Sequence, residues 1–280
     1  MVFFVSFGGG IGVNLFFIMS GFGLYYSVTK GIDSCKINWL IWIKRRLMRL
    51  LPSYLIVSIT YYLMKGDLSI YNVLQLNFWS EGVRDFWFIP AIIVCYAIFP
   101  LVFISAKKWG FGKTIITLLF ILICGNIYIE LFSPYCNKVE IFTWRIPCFV
   151  VGIYLGYLSK IQVRYNRFFI HGALFLALSL CFVFTGMSRL FFIILTFCIL
   201  PLITYLLVLL SKHVHYIQKI LCYFGSRSLQ IYLLHVSVVP LALTMLWKFN
   251  IVLYFFLTFI IAELLYQFTS YMMAKSKINM

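Results

Sequence analysis

Acidic residues are scarce in this chain: 7 Asp and Glu against 23 Lys and Arg in 280 residues, a formal net charge of +16. So few carboxylates leave paired-carboxylate glycoside chemistry poorly supplied. The eight cysteines are scattered singly, with no CxxC pair and no Cys/His spacing that suits zinc, so no metal site is expected. Those inside apolar runs read as small buried hydrophobes, and Cys136 alone stands in an expected external loop. There is no Ser-His-Asp order, HExxH, Walker loop or dinucleotide fingerprint. Gly8, Gly9 and Gly10 make no phosphate loop, because no strand precedes them and no GK[ST] follows. Low-complexity tracts, repeats of fixed period and domain-separating linkers are absent too. No basic region precedes the first apolar run, so no cleavable signal peptide is visible.

What remains is apolar. Hydrophobic residues make up 64% of the chain, aromatics 20% and charged residues 11%. A soluble domain of this length has no interior large enough for that surface, so the solvent is lipid. Nine apolar segments are legible, at about 11–28, 51–64, 87–104, 114–131, 143–159, 168–185, 190–210, 228–247 and 251–272. The second is short and is expected to extend to Leu68 with Lys65 snorkelling. The fold class is therefore an all-α integral membrane protein, a polytopic bundle of about nine transmembrane helices forming one domain over 1–280.

The loops set the orientation. Basic loops (30–49, 107–113, 160–167, 212–227 and the C-terminus) alternate without a break with near-neutral ones. The positive-inside rule puts the basic set, and so the C-terminus, in the cytoplasm. Positive charge confined to short loops fits topology and anionic membrane lipid, not nucleic acid. Nine spans with the C-terminus inside place the N-terminus outside, yet Met1–Gly10 carries no charge and no export signal. The charge pattern alone thus implies that a first span is missing.

Trp42–Pro52, WIKRRLMRLLP, holds the densest charge, with Lys44, Arg45, Arg46 and Arg49 between two apolar stretches. Helical spacing lets the three arginines share a face. Two readings stand: an anchor at the cytoplasmic interface, or a site for a phosphorylated cytosolic donor, where guanidinium forks outperform lysine. Ser228, Tyr232 and His235 follow i, i+4, i+7 in SLQIYLLHV and face one way. An imidazole within a span needs a partner, so His235 is either structural or functional. Glu263 lies well inside a span with Gln267 one turn later; it calls for an Arg, His or Tyr partner, again in a structural or a functional role. Arg145, in TWRIPCF, stands at an outer mouth facing a glycan or lipid headgroups. Tyr and Trp cluster at segment ends (Tyr25, Tyr26, Trp39, Trp42, Trp79, Trp87, Trp109, Trp144, Trp247), as interfacial belts do.

Five stretches resemble, in order, the signatures of the acyltransferase 3 family of integral-membrane acyltransferases. Gly12–Phe22, GVNLFFIMSGF, resembles GVxLFFxxSGF, and Lys44–Tyr54, KRRLMRLLPSY, matches RRxxRxxPxY. Phe86–Leu101, FWFIPAIIVCYAIFPL, is similar to xWFLxALLxxYxxFPL, Trp144–Leu158 to RxPxFxxGxxLG, and Ser226–His235 to SxxxYLLH. The resemblance implies a ten-span fold that takes an acyl group, usually acetyl, from a cytoplasmic coenzyme A thioester. The group passes to a hydroxyl of a cell-surface or exported glycan. On that reading Arg45, Arg46 and Arg49 hold the donor phosphates, while Tyr232 and His235 line the channel. Trp87, Arg145, Ser228 and Glu263 join the channel or acceptor side. Acetyl-CoA, or another acyl-CoA such as succinyl-CoA, is a substrate and not a tightly held cofactor. The partners are membrane lipid, the acyl-CoA and the glycan acceptor.

One departure matters. The family's first span carries an arginine and, some ten residues later, the histidine regarded as the catalytic base, both upstream of GVxLFF. Position 6 here is Ser and position 7 Phe. The resemblance thus implies either an N-terminally incomplete chain, inactive by itself, or a chain in which His235 has taken over as base. Asn14 stands where many relatives carry Asp. The reading is a bacterial inner-membrane O-acetyltransferase of capsule, lipopolysaccharide or another exported polysaccharide. The alternative from a different class is a non-enzymatic transporter of a glycan or lipid-linked intermediate; its usual repeats and broken helix pairs are not seen.

Overall fold

In a computed structural model of the chain, the described residues are 2–29, 37–83, 85–132, 140–161, 196, 215–245 and 251–278. They form eleven α-helices and no strand. The long ones are α1 (Val2–Thr29), α2 (Trp39–Lys65), α5 (Phe88–Trp109), α6 (Phe111–Phe132), α8 (Ile146–Lys160), α9 (His215–Val236) and α11 (Ile251–Ile278). Short helices are α3 (Ile70–Val73), α4 (Leu76–Glu81), α7 (Glu140–Thr143) and α10 (Val238–Met245). The expected spans at 168–185 and 190–210, apart from Thr196, lie outside the described residues, as do Cys136 and Trp247.

Five stretches of the described residues are long and apolar enough to cross a membrane: Trp39–Lys65, Phe88–Trp109, Phe111–Ile129, Glu140–Lys160 and Val252–Lys275. Large apolar side chains on α11, among them Val252, Phe256, Leu264 and Tyr271, are more than 60% exposed. A continuous face of that kind is stable against lipid and not against water. The molecule is a helical, multi-pass membrane protein.

Several boundaries differ from the sequence reading, and the expected segment 228–247 is not one helix: α9 starts at His215 and ends at Val236, and α10 follows after a turn at Ser237. α1 begins at Val2, not near residue 11, because the three-glycine run is carried inside an otherwise apolar helix. α2 begins at Trp39, not residue 51: the Asn38 side chain accepts the Ile41 N–H at 3.1 Å, which caps the helix ahead of the basic turn. It ends at Lys65 rather than Leu68. Gly66 takes the left-handed conformation (φ 74°) and Asp67 N–H returns to the Tyr62 carbonyl at 3.0 Å, closing the helix.

The chain divides into two compact units, Met1–Ile37 with Val94–Lys212, and Asn38–Ile93 with His213–Met280. In the first, α1 and α8 pack backbone to backbone. A Cβ added at Gly21 would overlap the Phe149 carbonyl oxygen, and one at Gly152 the Ile18 carbonyl. This is the small-residue contact by which membrane helices approach closely. Pro147 starts α8, where its missing N–H costs nothing. Tyr25, Phe111 and Tyr157 fill the neighbouring space, Phe111 and Tyr157 stacked at 4.4 Å. Tyr25 and Trp144 are 4% and 1% exposed, so both serve packing and neither the interfacial belt expected of them.

In the second unit, Gln75 holds the turn between α3 and α4 in the left-handed region (φ 56°). Its buried amide donates to Tyr62 Oη at 2.9 Å, and its carbonyl oxygen accepts the Phe86 N–H at 3.3 Å. The Tyr54 hydroxyl donates to the Val73 carbonyl, and the Tyr54 ring meets Phe86 edge-on. Lys65, expected to snorkel, reaches Asp85 at 3.3 Å. Trp87 is 8% exposed and also lies inside rather than at a belt.

Candidate active site

The basic turn is part of α2 and therefore rigid. Lys44, Arg45 and Arg49 are exposed, and the half-buried Arg46 guanidinium lies 5.5 Å above the Trp42 ring. Among the described residues no carboxylate pairs with Arg45 or Arg49. One turn after Arg49, Pro52 removes a backbone donor from the helix ladder. Ser53 follows and is fully buried. It accepts the Gln230 amide at 2.9 Å and donates to Thr269 Oγ1 at 3.5 Å. The Gln230 carbonyl oxygen is buried without a partner. This network ties the helix of the basic turn to α9, which carries the histidine, and to α11.

On α9 the expected face forms, since the helix is continuous from His215 to Val236. The Tyr232 and His235 rings meet at 5.7 Å, and Tyr232 packs on Phe88 at 5.2 Å. Trp87 joins through Phe88 at 6.4 Å. His235 Nδ1 lies 3.0 Å from the Ile231 carbonyl oxygen. A carbonyl only accepts, so Nδ1 carries the proton and Nε2 of the neutral ring keeps its lone pair. The Tyr254 hydroxyl donates to the His235 carbonyl at 3.0 Å, fixing the turn from α11. Half-buried, with one ring nitrogen restrained and the other basic, the imidazole has the form a general base requires. The Ser228 hydroxyl bonds its own helix, donating to Gly225 C=O at 2.9 Å.

Glu263 finds the partner its position called for, and more. Arg227 grips it with two nitrogens, Nη2 to Oε1 at 3.0 Å and Nε to Oε2. Tyr223 Oη donates at 2.7 Å and Gln267 at 2.9 Å. The guanidinium also lies 3.7 Å from the Tyr223 ring and 4.3 Å from that of Tyr266. The carboxylate's acceptor positions are filled, so Glu263 is a strut between α9 and α11.

Arg145 belongs to the other unit. Its Nη1 donates to Asn14 Oδ1 at 2.7 Å, and Asn14, 0% exposed, donates onward to Thr196 Oγ1 at 2.8 Å. Arg145 Nε is buried without a partner. The guanidinium is thus held by a neutral amide, with its buried Nε donor unpartnered.

Tyr232, His235 and Trp87 come together in the unit that holds Arg45, Arg46 and Arg49; Arg145 is built into the other. Sequence reasoning missed Asn14, Arg227 and Gln230 as partners. Among the described residues no cluster of three His, Cys, Asp or Glu side chains could hold a metal ion.

No curated protein and no solved structure matches the chain. The family model described as an acyltransferase domain matches residues 1–266. With that match over nearly the whole length, on a bundle of apolar helices, the chain belongs to the acyltransferase 3 family of membrane acyltransferases.

Proposed function

We propose that this chain transfers an acetyl group from cytoplasmic acetyl-CoA to a hydroxyl of an exported or cell-surface polysaccharide, in the inner membrane of a bacterium. The observation that carries the donor side is the exposed guanidinium pair Arg45 and Arg49, which no described carboxylate neutralises, on a rigid helix with Arg46 beside it. Such a face suits the phosphates of coenzyme A. His235 Nε2 takes the proton of the acceptor hydroxyl as its oxygen attacks the thioester carbonyl. The C–O bond forms, the C–S bond breaks, and the departing thiolate recovers the proton from the imidazolium. Tyr232 and Trp87 wall the reacting groups, and Ser228 lies on the acceptor side of the same face.

Calorimetric titration of the purified chain with coenzyme A tests the donor site. Replacing Arg45 and Arg46 together by Ala is expected to weaken binding at least about tenfold, the loss of two charge-assisted contacts. Unchanged affinity would remove the donor from this face.

A further inference from the structure

The opposite side of the basic turn carries a different feature. α2 and α11 enclose an open groove of about 840 Å³. Ten apolar side chains line it, including Met48, Leu51, Leu55, Phe268 and Met272, and one charged group, Lys44. Its volume is in the range of ligand sites, yet it offers a ligand nothing polar except that ammonium.

Geometry defines what fits. α2 lines the groove from Leu40 to Ile56, about 24 Å at about 1.5 Å per residue, and the part from Lys44 onward is about 18 Å of it. One leaflet of a bilayer's hydrocarbon is about 15 Å thick, half of about 30 Å. The part of the groove from Lys44 onward therefore has about the length of one acyl chain, with a cation where that chain's headgroup begins and Leu40 and Ile43 lining the turn before it. At 3.6 residues per turn Lys44 points about 140° away from Arg49 and about 160° from Arg46. The groove and the arginine face are thus two sites on one helix. A free aqueous anion has no use for an apolar trough within a span, whereas a lipid uses both parts.

We infer that this groove is a binding site for one anionic phospholipid of the cytoplasmic leaflet, its acyl chain along α2 and α11 and its phosphate on Lys44. The site orders the helix that bears the basic turn, and it makes the protein sensitive to the charge of its membrane. It deepens the reading of this turn without depending on acyl transfer, because α2 is long and apolar enough to span whatever its donor is.

Native mass spectrometry of the detergent-purified full chain tests it, with dioleoyl phosphatidylglycerol and dioleoyl phosphatidylcholine as probes. One phosphatidylglycerol should be retained in preference to phosphatidylcholine. Lys44→Gln, a change at an exposed side chain, should lower that retention about fivefold, as expected for one basic residue at a lipid surface. Leu55→Trp, which fills the trough, should lower retention of both lipids. Arg46→Gln and millimolar coenzyme A should leave it unchanged. Equal retention of the two lipids, or no effect of Lys44→Gln or of Leu55→Trp, would overturn the proposal. So would displacement of the lipid by coenzyme A or its loss in Arg46→Gln, since either assigns the anion to the arginine face. The donor assignment fails separately, by calorimetry of the Arg45 and Arg46 variant.

Discussion

Two paired guanidiniums, Arg227 and Arg145, show how one residue type is made to do different work. Arg227 meets a carboxylate, a phenol and two aromatic rings, and every acceptor of Glu263 is used. Arg145 meets one amide and keeps Nε unpaired in the interior. Asn14→Leu would leave that guanidinium without its amide, at about 2–3 kcal/mol for a lost bond to a charged group. The midpoint of thermal unfolding in detergent should fall by several degrees. Asn14→Asp supplies the charge-assisted acceptor instead and should hold or raise it. Equal midpoints for both variants would show that the Asn14 to Arg145 bond contributes nothing. At His235 the carbonyl of Ile231 restrains Nδ1 and leaves Nε2 as the acceptor. Single-turnover kinetics of His235→Gln should show the chemical step slowed about 10²–10⁴-fold, the usual worth of a general base, with coenzyme A affinity kept. Loss of donor affinity with an unchanged chemical step would make His235 a packing residue. These pairings were legible only in outline. A buried acid demands a partner by electrostatics alone, but Arg227 counted as loop charge until the extent of α9 placed it one helix face from Glu263.

At the scale of elements, apolar length found the long helices among the described residues, while capping chemistry set the ends of α2. Asn38 and Gly66 displaced both ends of α2 from the apolar run, because a cap acts on backbone groups that hydropathy does not see. The belt assignment of Tyr25, Trp87 and Trp144 failed for a related reason. An aromatic near a segment end belongs to the interface only if it faces outward, and these three face neighbouring helices. The α1 and α8 contact yields a sharp expectation. Gly152→Ala drives a methyl into the Ile18 backbone and should cost about 1–3 kcal/mol, the usual penalty of overpacking. Gly12→Ala, on the same α1 helix with open space around it, should be neutral or gain up to about 1 kcal/mol in helix propensity. Fluorescence-detected thermal unfolding separates the two; a Gly152→Ala protein as stable as Gly12→Ala would refute the close approach.

For the whole molecule, composition settled the solvent and five ordered motifs settled the family, since both are properties of the chain before it folds. What composition does not carry is the pairing of distant helices. Ser53, Gln230 and Thr269 lie on three helices, Ser53 being 177 residues from Gln230 and 216 from Thr269, and nothing local to any of them names the others. That network ties the helix of the proposed donor turn to the helix of the proposed base. The central claim is acyl transfer to an exported glycan. The most direct test is the acetyl content of the surface polysaccharide, by NMR, in the parent strain, in a deletion of this reading frame, and in the deletion complemented with the 280-residue chain or its His235→Ala variant. Acetyl should be lost on deletion, restored by the chain and not restored by His235→Ala. Full acetylation after deletion would contradict that claim.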